Sequence, residues 1–185
     1  MAEVPSPIRT SRVDQLAVEV FASYDALSEH VAHRVQRLLK ETVERQGSAA
    51  AILATGNSQL RFLKRLTELG GVDWSKVTLF HMDEYLGLPA EHPAGFRRYM
   101  KDRVESLVRP RVFHYLAGDA DLPQIECDRY TALLKSQTID LCCLGIGENG
   151  HLAMRDAAQV LLEVHGHELK DKIHPGFQME QVKEG

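Results

Sequence analysis

The sequence predicts an α/β domain built on a mainly parallel sheet. Short apolar runs recur along the chain, segments with helical spacing separate them, and glycine-rich or hydroxyl-rich turns follow the runs. The chain has 185 residues, which suits one domain. It is 44% hydrophobic and 26% charged, a balance typical of a globular protein and not of a disordered one.

The charge pattern argues against several broad functions. The formal net charge is -4 and both signs are mixed along the chain, so nothing favours binding to nucleic acid or to an anionic membrane. No apolar run approaches the roughly 18 residues of a transmembrane helix. The first residues lack the cationic start and apolar core of a secretory signal. We therefore expect a cytoplasmic protein in which Cys142 and Cys143 are buried thiols.

The N-terminal part contains the first predicted strands and the first long helix. Residues 1–14 show little periodicity and are interpreted as a loose leader to a domain over residues 15–166. Leu16–Phe21 alternates weakly and predicts a strand. Apolar residues at helical spacing predict a helix over Asp25–Gln46, and the apolar run Ala49–Ala54 predicts a buried strand.

A short loop with a glycine and two hydroxyl side chains follows this buried strand. Thr55, Gly56, Asn57 and Ser58 lie between the strand and a helix predicted over Gln59–Leu69. This geometry binds phosphate, because backbone N–H groups converge in the loop and the helix N-terminus adds a partial positive charge. The alternative is an ordinary strand-to-helix turn with a serine or asparagine cap.

Two adjacent carboxylates follow the next predicted strand. Val77–Phe80 is apolar, and Asp83 and Glu84 come shortly after it. Since side chains alternate along an extended chain, one acid should face a ligand site and the other the packing or a partner. The alternative is that one of the acids only caps the next turn.

The remaining elements continue the alternation. Helices are predicted over Phe96–Leu107 and Pro123–Ser136, with the short extended segment Val112–Leu116 between them. Beyond a last apolar strand, Met154–Val164 has helical spacing, and residues 167–185 are interpreted as a polar tail. This order of elements favours a mainly parallel sheet.

The last apolar run, Leu141–Leu144, predicts a buried parallel strand that ends in a glycine turn. Gly145, Gly147 and Gly150 match the pattern G-x-G-x-x-G. A dinucleotide fold would also need an acid at the end of a following strand, but the candidate, Glu168, lies in a polar stretch. The turn is therefore interpreted as part of another kind of site.

The histidine behind this turn is a candidate for proton transfer. His151 and Asp83 both follow predicted parallel strands, whose carboxyl ends share one edge of the sheet. An imidazole and a carboxylate there would supply an acid and a base. A structural role is the alternative for a lone histidine. His165, His167 and His174 are interpreted as surface residues and not as a metal site.

Three segments together resemble the glucosamine-6-phosphate deaminase/isomerase family, which is related to the 6-phosphogluconolactonases. They are Ala54–Ser58, Phe80–Leu88 and Leu144–Ala153, and the resemblance extends over Leu16–Ala153. It implies a Rossmann-like three-layer fold and conversion of glucosamine 6-phosphate to fructose 6-phosphate and ammonia. Tyr85, after the acidic pair, is similar to the deaminase branch, whereas lactonases usually carry arginine there.

The resemblance also implies residue roles. Asp83 would remove the C2 proton and return it at C1, a shift that needs a base but no metal or redox cofactor. His151 would act in ring opening, oriented by Asn149, and Asp156 falls at the position of the family's acid. The implied substrate contacts are those of Thr55, Gly56, Asn57, Ser58, Glu84, Gly147 and Gly150.

The sequence departs from the family after Ala153. The family continues Phe-Asn-Glu/Asp-Pro, and here Met154–Ala157 stands instead. We expect the C-terminal part of the family fold to be missing, either in a truncated or frame-shifted product or in a distinct short protein. Missing strands would expose apolar surface, which the predicted C-terminal helix or a homo-oligomer would cover.

Three functions are compatible with these residues. The first is the deaminase/isomerase activity, with a small sugar phosphate as the only partner required. The second is a non-catalytic sugar-phosphate-binding remnant that keeps the loop of residues 55–58 but lacks a complete pocket. The third is a 6-phosphogluconolactonase-like hydrolase, which Tyr85 disfavours.

Overall fold

The computed structural model describes residues 3–146, which form an α/β fold with two sheets. A small antiparallel sheet pairs β1 (Arg9–Val13) with β2 (Leu16–Val20). The main sheet has four parallel strands: β3 (Ala49–Leu53), β4 (Val77–His81), β5 (Val112–His114) and β6 (Leu141–Cys142). Their spatial order is β5-β4-β3-β6.

The helices begin and end where local chemistry favours it. Helix α1 (Tyr24–Gln46) starts after Ser23, whose Oγ accepts a hydrogen bond from Ala26 N at 3.1 Å, and ends at Gly47, which has a φ of 84°. The other helical segments are a 3₁₀ turn (Asn57–Gln59), α2 (Leu60–Leu69), a second 3₁₀ turn (Trp74–Lys76), α3 (Phe96–Met100), a π-helical segment (Lys101–Glu105), α4 (Ser106–Val108) and α5 (Pro123–Lys135). No helix within residues 3–146 is long and apolar enough to cross a membrane.

Two apolar clusters, one on each face of the main sheet, make the fold three-layered. Alternate strand residues such as Leu53 and Leu79 pack with Leu39 of α1 and Leu63 of α2. The strand residues between them, such as Ile52 and Phe80, point to the opposite face. They pack with three residues of α5, which are Tyr130, Leu133 and Leu134. The two-residue period of the strands therefore assigns α1 and α2 to one face and α5 to the other.

The strand order creates a switch point beside β3. From β3, the chain continues to β4 and β5 on one side, and then crosses to β6 on the other side. Asp140 fixes this crossing: its N–H donates to Ala50 O at 2.9 Å, and its Oδ2 accepts from Ala50 N at 2.9 Å. In open α/β sheets, ligands bind beyond the carboxyl ends of the strands at such a point.

Two expectations differ from the structure. Residues 1–14 were expected to be a loose leader, but Arg9–Val13 is a strand because it pairs with Leu16–Val20, whose weak alternation matches a two-stranded ribbon open to solvent. Leu141–Leu144 was expected to be a buried strand that holds Cys142 and Cys143 as buried thiols, but the strand covers only Leu141–Cys142, Cys142 is exposed and Cys143 is half-buried, because β6 lies at the edge of the described sheet and pairs only with β3 there. The predictions for Met154–Val164 and residues 167–185 lie outside the described residues.

Gly118 lies where the segments after β4 and β5 meet, and it has no room for a side chain. A Cβ added to Gly118 would lie 2.1 Å from Tyr85 O and 2.9 Å from Glu84 Cγ. We expect Gly118→Ala to lower the free energy of unfolding by about 3 kcal/mol, measured by urea denaturation. Gly47→Ala is the control: its Cβ would meet nothing within 4 Å, so only its positive φ should cost about 1 kcal/mol. Equal losses in the two variants would contradict the close approach.

Candidate active site

The segments that follow β3, β4 and β6 meet at the carboxyl edge of the main sheet. After β4, the carboxyl group of Asp83 accepts a hydrogen bond from the side chain of Thr55, which follows β3. After β6, the Cβ position of Gly145 lies 3.9 Å from Ser58 Oγ. The loop Thr55–Ser58 therefore lies between the segments that follow β4 and β6, at the switch point of the sheet.

The loop Thr55–Ser58 makes a tight turn into helix. Gly56 has φ 99° and ψ 170°, a conformation that residues with a Cβ rarely adopt. Its carbonyl accepts a hydrogen bond from Gln59 N at 3.0 Å, which closes a 3₁₀ turn directly before α2. Successive backbone N–H groups and a helix N-terminus thus lie together, as an anion site requires.

Asp83 has an environment suited to proton transfer near neutral pH. Its Oδ1 is buried, and within the described residues it has no hydrogen-bond partner. Burial disfavours the charged form and, with the neighbouring Glu84 carboxylate, raises the pKa of Asp83 to about 7, against the opposing hydrogen bond from Thr55. A carboxyl group with this pKa can both accept a proton and return it.

Glu84 caps the N-terminus of α3. Its Oε1 accepts hydrogen bonds from Tyr85 N and Phe96 N, each at 2.9 Å, and its Oε2 accepts one from Arg97 N at 2.7 Å. Its side chain is only 2% exposed. The structure therefore gives Glu84 the capping role that the sequence left as an alternative, while its predicted contact with substrate stays a prediction.

Arg97 joins this cap to the loop that follows Asp83. Arg97 Nε lies 3.4 Å from Glu84 Oε2, and Arg97 Nη1 lies 2.8 Å from Asp119 Oδ1. Nη2 donates to Leu88 O at 2.5 Å. An arginine paired with two carboxylates holds the segment after β4 rigidly, and with it the backbone that carries Asp83.

His81 is a buried structural histidine two residues before Asp83. Its Nε2 accepts a hydrogen bond from Leu116 N at 2.9 Å. Burial, together with the charge of Arg97, lowers the pKa of His81 to about 3, so the ring stays neutral. Tyr130 donates its hydroxyl proton to His81 O at 2.7 Å. These contacts fix the end of β4 to the segment after β5 and to α5.

Two tyrosines that the sequence did not single out hold the loop from outside. Tyr24 OH lies 2.6 Å from Ser58 O and 3.1 Å from Asn57 O. Tyr99 OH lies 3.2 Å from Gly56 O. No sequence signal marks them, because each stands in a helix whose periodicity already explains an aromatic residue.

The remaining predicted site residues lie outside the described part of the chain. They are Gly147, Asn149, Gly150, His151 and Asp156. The pairing of Asp83 with His151 therefore stays a prediction. Within residues 3–146, no group of three or more histidine, cysteine or acidic side chains is placed to hold a metal ion.

A parallel sheet with a glycine-containing loop and a helix N-terminus at its switch point is typical of a broad class, the α/β proteins that bind ligands at the carboxyl edge of the sheet. Comparison with known sequences narrows this class. Residues 22–154 match the family described as glucosamine-6-phosphate isomerases/6-phosphogluconolactonase, so the chain belongs to that family.

The curated relatives include glucosamine-6-phosphate deaminases from bacteria. The chain is 38% identical over 124 residues to the deaminase of an Exiguobacterium species, a match that covers 67% of this chain and 48% of the relative. It is 37% identical over 115 residues to that of Aliivibrio fischeri, covering 59% of this chain and 43% of the relative. The chain thus spans about half the length of these relatives.

Solved structures of the same fold include both branches of the family. A monomeric glucosamine-6-phosphate deaminase superposes with a TM-score of 0.66 at 30% identity, over 71% of this chain and 56% of that one. A 6-phosphogluconolactonase from Shewanella baltica gives a TM-score of 0.63 at 23% identity, over 71% of this chain and 57% of that one, which shows the fold alone. The predicted family and the predicted α/β fold are confirmed.

Proposed function

We propose that the chain is an amino-sugar-phosphate deaminase/isomerase that converts glucosamine 6-phosphate to fructose 6-phosphate and ammonia. One observation carries the proposal: Asp83, a desolvated acid with its pKa raised to about 7, is hydrogen-bonded to the first residue of a phosphate-type loop. The curated relatives named as glucosamine-6-phosphate deaminases support this choice of substrate.

The loop Thr55–Ser58 binds the phosphate group in this proposal. Its backbone N–H groups and the N-terminus of α2, which follows the 3₁₀ turn, supply hydrogen bonds and partial positive charge to the anion. Phosphate binding then places the sugar chain beside the Asp83 carboxyl group, because the loop and Asp83 are joined through Thr55.

Asp83 carries the proton transfer. As the carboxylate, it removes the C2 proton of the open-chain sugar, and as the acid it returns the proton at C1. In the same shift the aldehyde oxygen at C1 gains a proton and the C2 nitrogen loses one, so C1 becomes an alcohol and C2 an imine. Water then adds to the imine carbon, the C–N bond breaks, ammonia leaves and C2 becomes the ketone. A pKa near 7 keeps both protonation states accessible at neutral pH. Ring opening by His151, with Asn149 and Asp156 beside it, belongs to the same proposal, as does a cytoplasmic location.

A non-catalytic sugar-phosphate binder is the second candidate, because the loop Thr55–Ser58 combines successive backbone N–H groups with a helix N-terminus, which can bind an anion without any catalytic group. A lactonase is the weaker reading. At its diagnostic position Tyr85 packs on Phe96, with ring centroids 4.7 Å apart, and a phenol, unlike an arginine, supplies no positive charge there.

Ligand binding and ammonia release together separate these candidates. We expect glucosamine 6-phosphate at about 100 times its Kd to stabilise the chain by about 2.7 kcal/mol in thermal unfolding, while glucosamine without phosphate has little effect. Ammonia release from the same sample would support the deaminase. Stabilisation without ammonia would favour the binder, hydrolysis of 6-phosphogluconolactone would favour the lactonase, and no response to any ligand would contradict all three.

A further inference from the structure

We propose that Tyr24 and Tyr99 are positioning residues for phosphate binding, which orient the amides of the loop Thr55–Ser58 by holding its carbonyl groups. This inference rests on the proposed function and adds two residues to it. Neither tyrosine is required to touch the substrate, because each acts through the backbone of the loop.

The two hydroxyl groups reach three successive carbonyl groups from two different helices. Tyr24 is the first residue of α1, and its hydroxyl proton is shared between Ser58 O at 2.6 Å and Asn57 O at 3.1 Å. Tyr99 belongs to α3 and donates to Gly56 O at 3.2 Å. Helices that are distant in sequence thus converge on one short loop.

The planarity of the peptide bond converts this contact into an amide orientation. In a trans peptide unit, the C=O and N–H groups point in opposite directions. The Gly56 carbonyl shares its unit with the Asn57 N–H, and the Asn57 carbonyl shares its unit with the Ser58 N–H. When the tyrosines hold both carbonyls on one side, both N–H groups face the other side, where an anion can accept their hydrogen bonds.

The loop needs support from outside. Gly56 has a φ of 99°, and a glycine in this region moves easily between several conformations. The tyrosine rings are themselves held: the Arg61 guanidinium lies 4.9 Å from the ring centroid of Tyr24, and that of Arg103 lies 4.7 Å from the ring centroid of Tyr99. Burial raises the pKa of Tyr99, so its hydroxyl remains a donor at neutral pH.

The experiment removes only the hydroxyl groups. We expect Tyr24→Phe and Tyr99→Phe each to weaken binding of inorganic phosphate and of glucosamine 6-phosphate about fivefold, by titration calorimetry, and the double variant to weaken it further. KM in the ammonia assay should rise in parallel while kcat changes less than about twofold, because the lost interaction acts on phosphate binding and not on proton transfer.

Tyr115→Phe is the matched control. Tyr115 OH donates to Glu105 Oε2 at 3.0 Å and makes no hydrogen bond to the loop, so this variant loses a comparable bond without a change in phosphate affinity. Hydrogen exchange provides a readout independent of activity. The amides of Asn57 and Ser58 should exchange faster in the Tyr24→Phe and Tyr99→Phe variants, and should be unchanged in Tyr115→Phe.

The failure of this inference is distinct from the failure of the proposed function. If the wild-type chain binds both ligands and the two variants bind them equally well, the positioning role is overturned while the proposed function stands. If the wild-type chain binds neither ligand, the proposed function falls and this inference falls with it. If Tyr24→Phe does not fold, Tyr99→Phe decides the outcome alone, since its hydroxyl contacts a different carbonyl.

Discussion

Replacing Asp83 with asparagine should abolish ammonia release and, at the same time, stabilise the folded chain at neutral pH. Asparagine has nearly the same shape but can neither take up nor return a proton, so we expect turnover to fall at least about 100-fold. Asp83 is half-buried and its Oδ1 is fully buried, so its carboxylate is costly to ionise, as its raised pKa of about 7 indicates. Its removal should therefore increase the free energy of unfolding by on the order of 2–4 kcal/mol at pH 8.

The sign of this stability change follows from proton linkage. The pKa of Asp83 is about 7 in the fold, against an ordinary value of 3.8 in the unfolded chain, so between these limits the folded state binds more protons than the unfolded state. The contribution of Asp83 to stability is therefore greatest at low pH and is lost as the pH rises through this window. The advantage of the Asp83→Asn variant should grow from about pH 4 to about pH 7 and then level off.

Titration of His81 changes the stability in the opposite direction with pH. In the wild-type chain it therefore offsets the effect of Asp83. The pKa of His81 is about 3 in the fold, against an ordinary value of 6.5 in the unfolded chain, so the unfolded state binds the extra proton and stability rises with pH across this window. Where the two windows overlap, the two slopes should largely cancel. Asp83→Asn removes one of them, which should leave a rise of about 1.4 kcal/mol per pH unit from His81.

Urea unfolding between about pH 4 and pH 8 and an ammonia assay at the same pH values test this result. Asp121→Asn is the control, because Asp121 is an exposed acid and its replacement should change stability by no more than about 0.5 kcal/mol. Activity retained in Asp83→Asn would remove this residue from the mechanism. A stability difference from wild type that does not change with pH would contradict the burial argument.

Replacing Glu84 with alanine should be among the most destabilising single changes in the described residues. The substitution removes the acceptor of the backbone N–H groups of Phe96 and Arg97, and it leaves the guanidinium of Arg97, only 11% exposed, with Asp119 as its remaining carboxylate partner. Loss of one partner of such a buried pair costs about 3–5 kcal/mol. Urea unfolding measures this loss.

Glu91→Ala is the control for this prediction. Its carboxylate is 72% exposed and pairs with Lys101 at 2.9 Å, so its loss should change stability by no more than about 1 kcal/mol. A milder variant, Glu84→Gln, tests the electrostatic coupling to the site: without the Glu84 charge the pKa of Asp83 should fall, and the acidic limb of the activity profile should move to lower pH. Similar stability in the Glu84→Ala and Glu91→Ala variants would contradict the capping role.

Local signals in the sequence were sufficient for the elements with strong periodicity. Helix α1 was predicted over Asp25–Gln46 and begins one residue earlier, because the Ser23 cap and the left-handed Gly47 fix both ends within a few residues. The strand β3 was predicted for the same kind of reason: its apolar run, Ala49–Leu53, is buried at every position.

Features that depend on distant contacts could not be predicted in this way. The adjacent acids Asp83 and Glu84 carry no sequence signal for which one faces the loop, since that choice depends on where α3 begins. Arg9–Val13 became a strand only through its pairing with Leu16–Val20. The roles of Tyr24 and Tyr99 arise from the convergence of two helices on one loop.

The strand order also determines when the site can form during protein synthesis. The two strands that pair with β3 come from very different points of the chain. Strand β4 follows β3 closely, whereas Asp140, which fixes β6 against β3, comes 90 residues after its partner Ala50. A ribosome therefore releases β3, β4 and the acid Asp83 well before the flank that carries Gly145. In nascent chains stopped shortly before Asp140, the side of β3 that pairs with β6 should still be open. Pairing between strands so far apart in sequence is slow, so chaperones would be needed most at this stage.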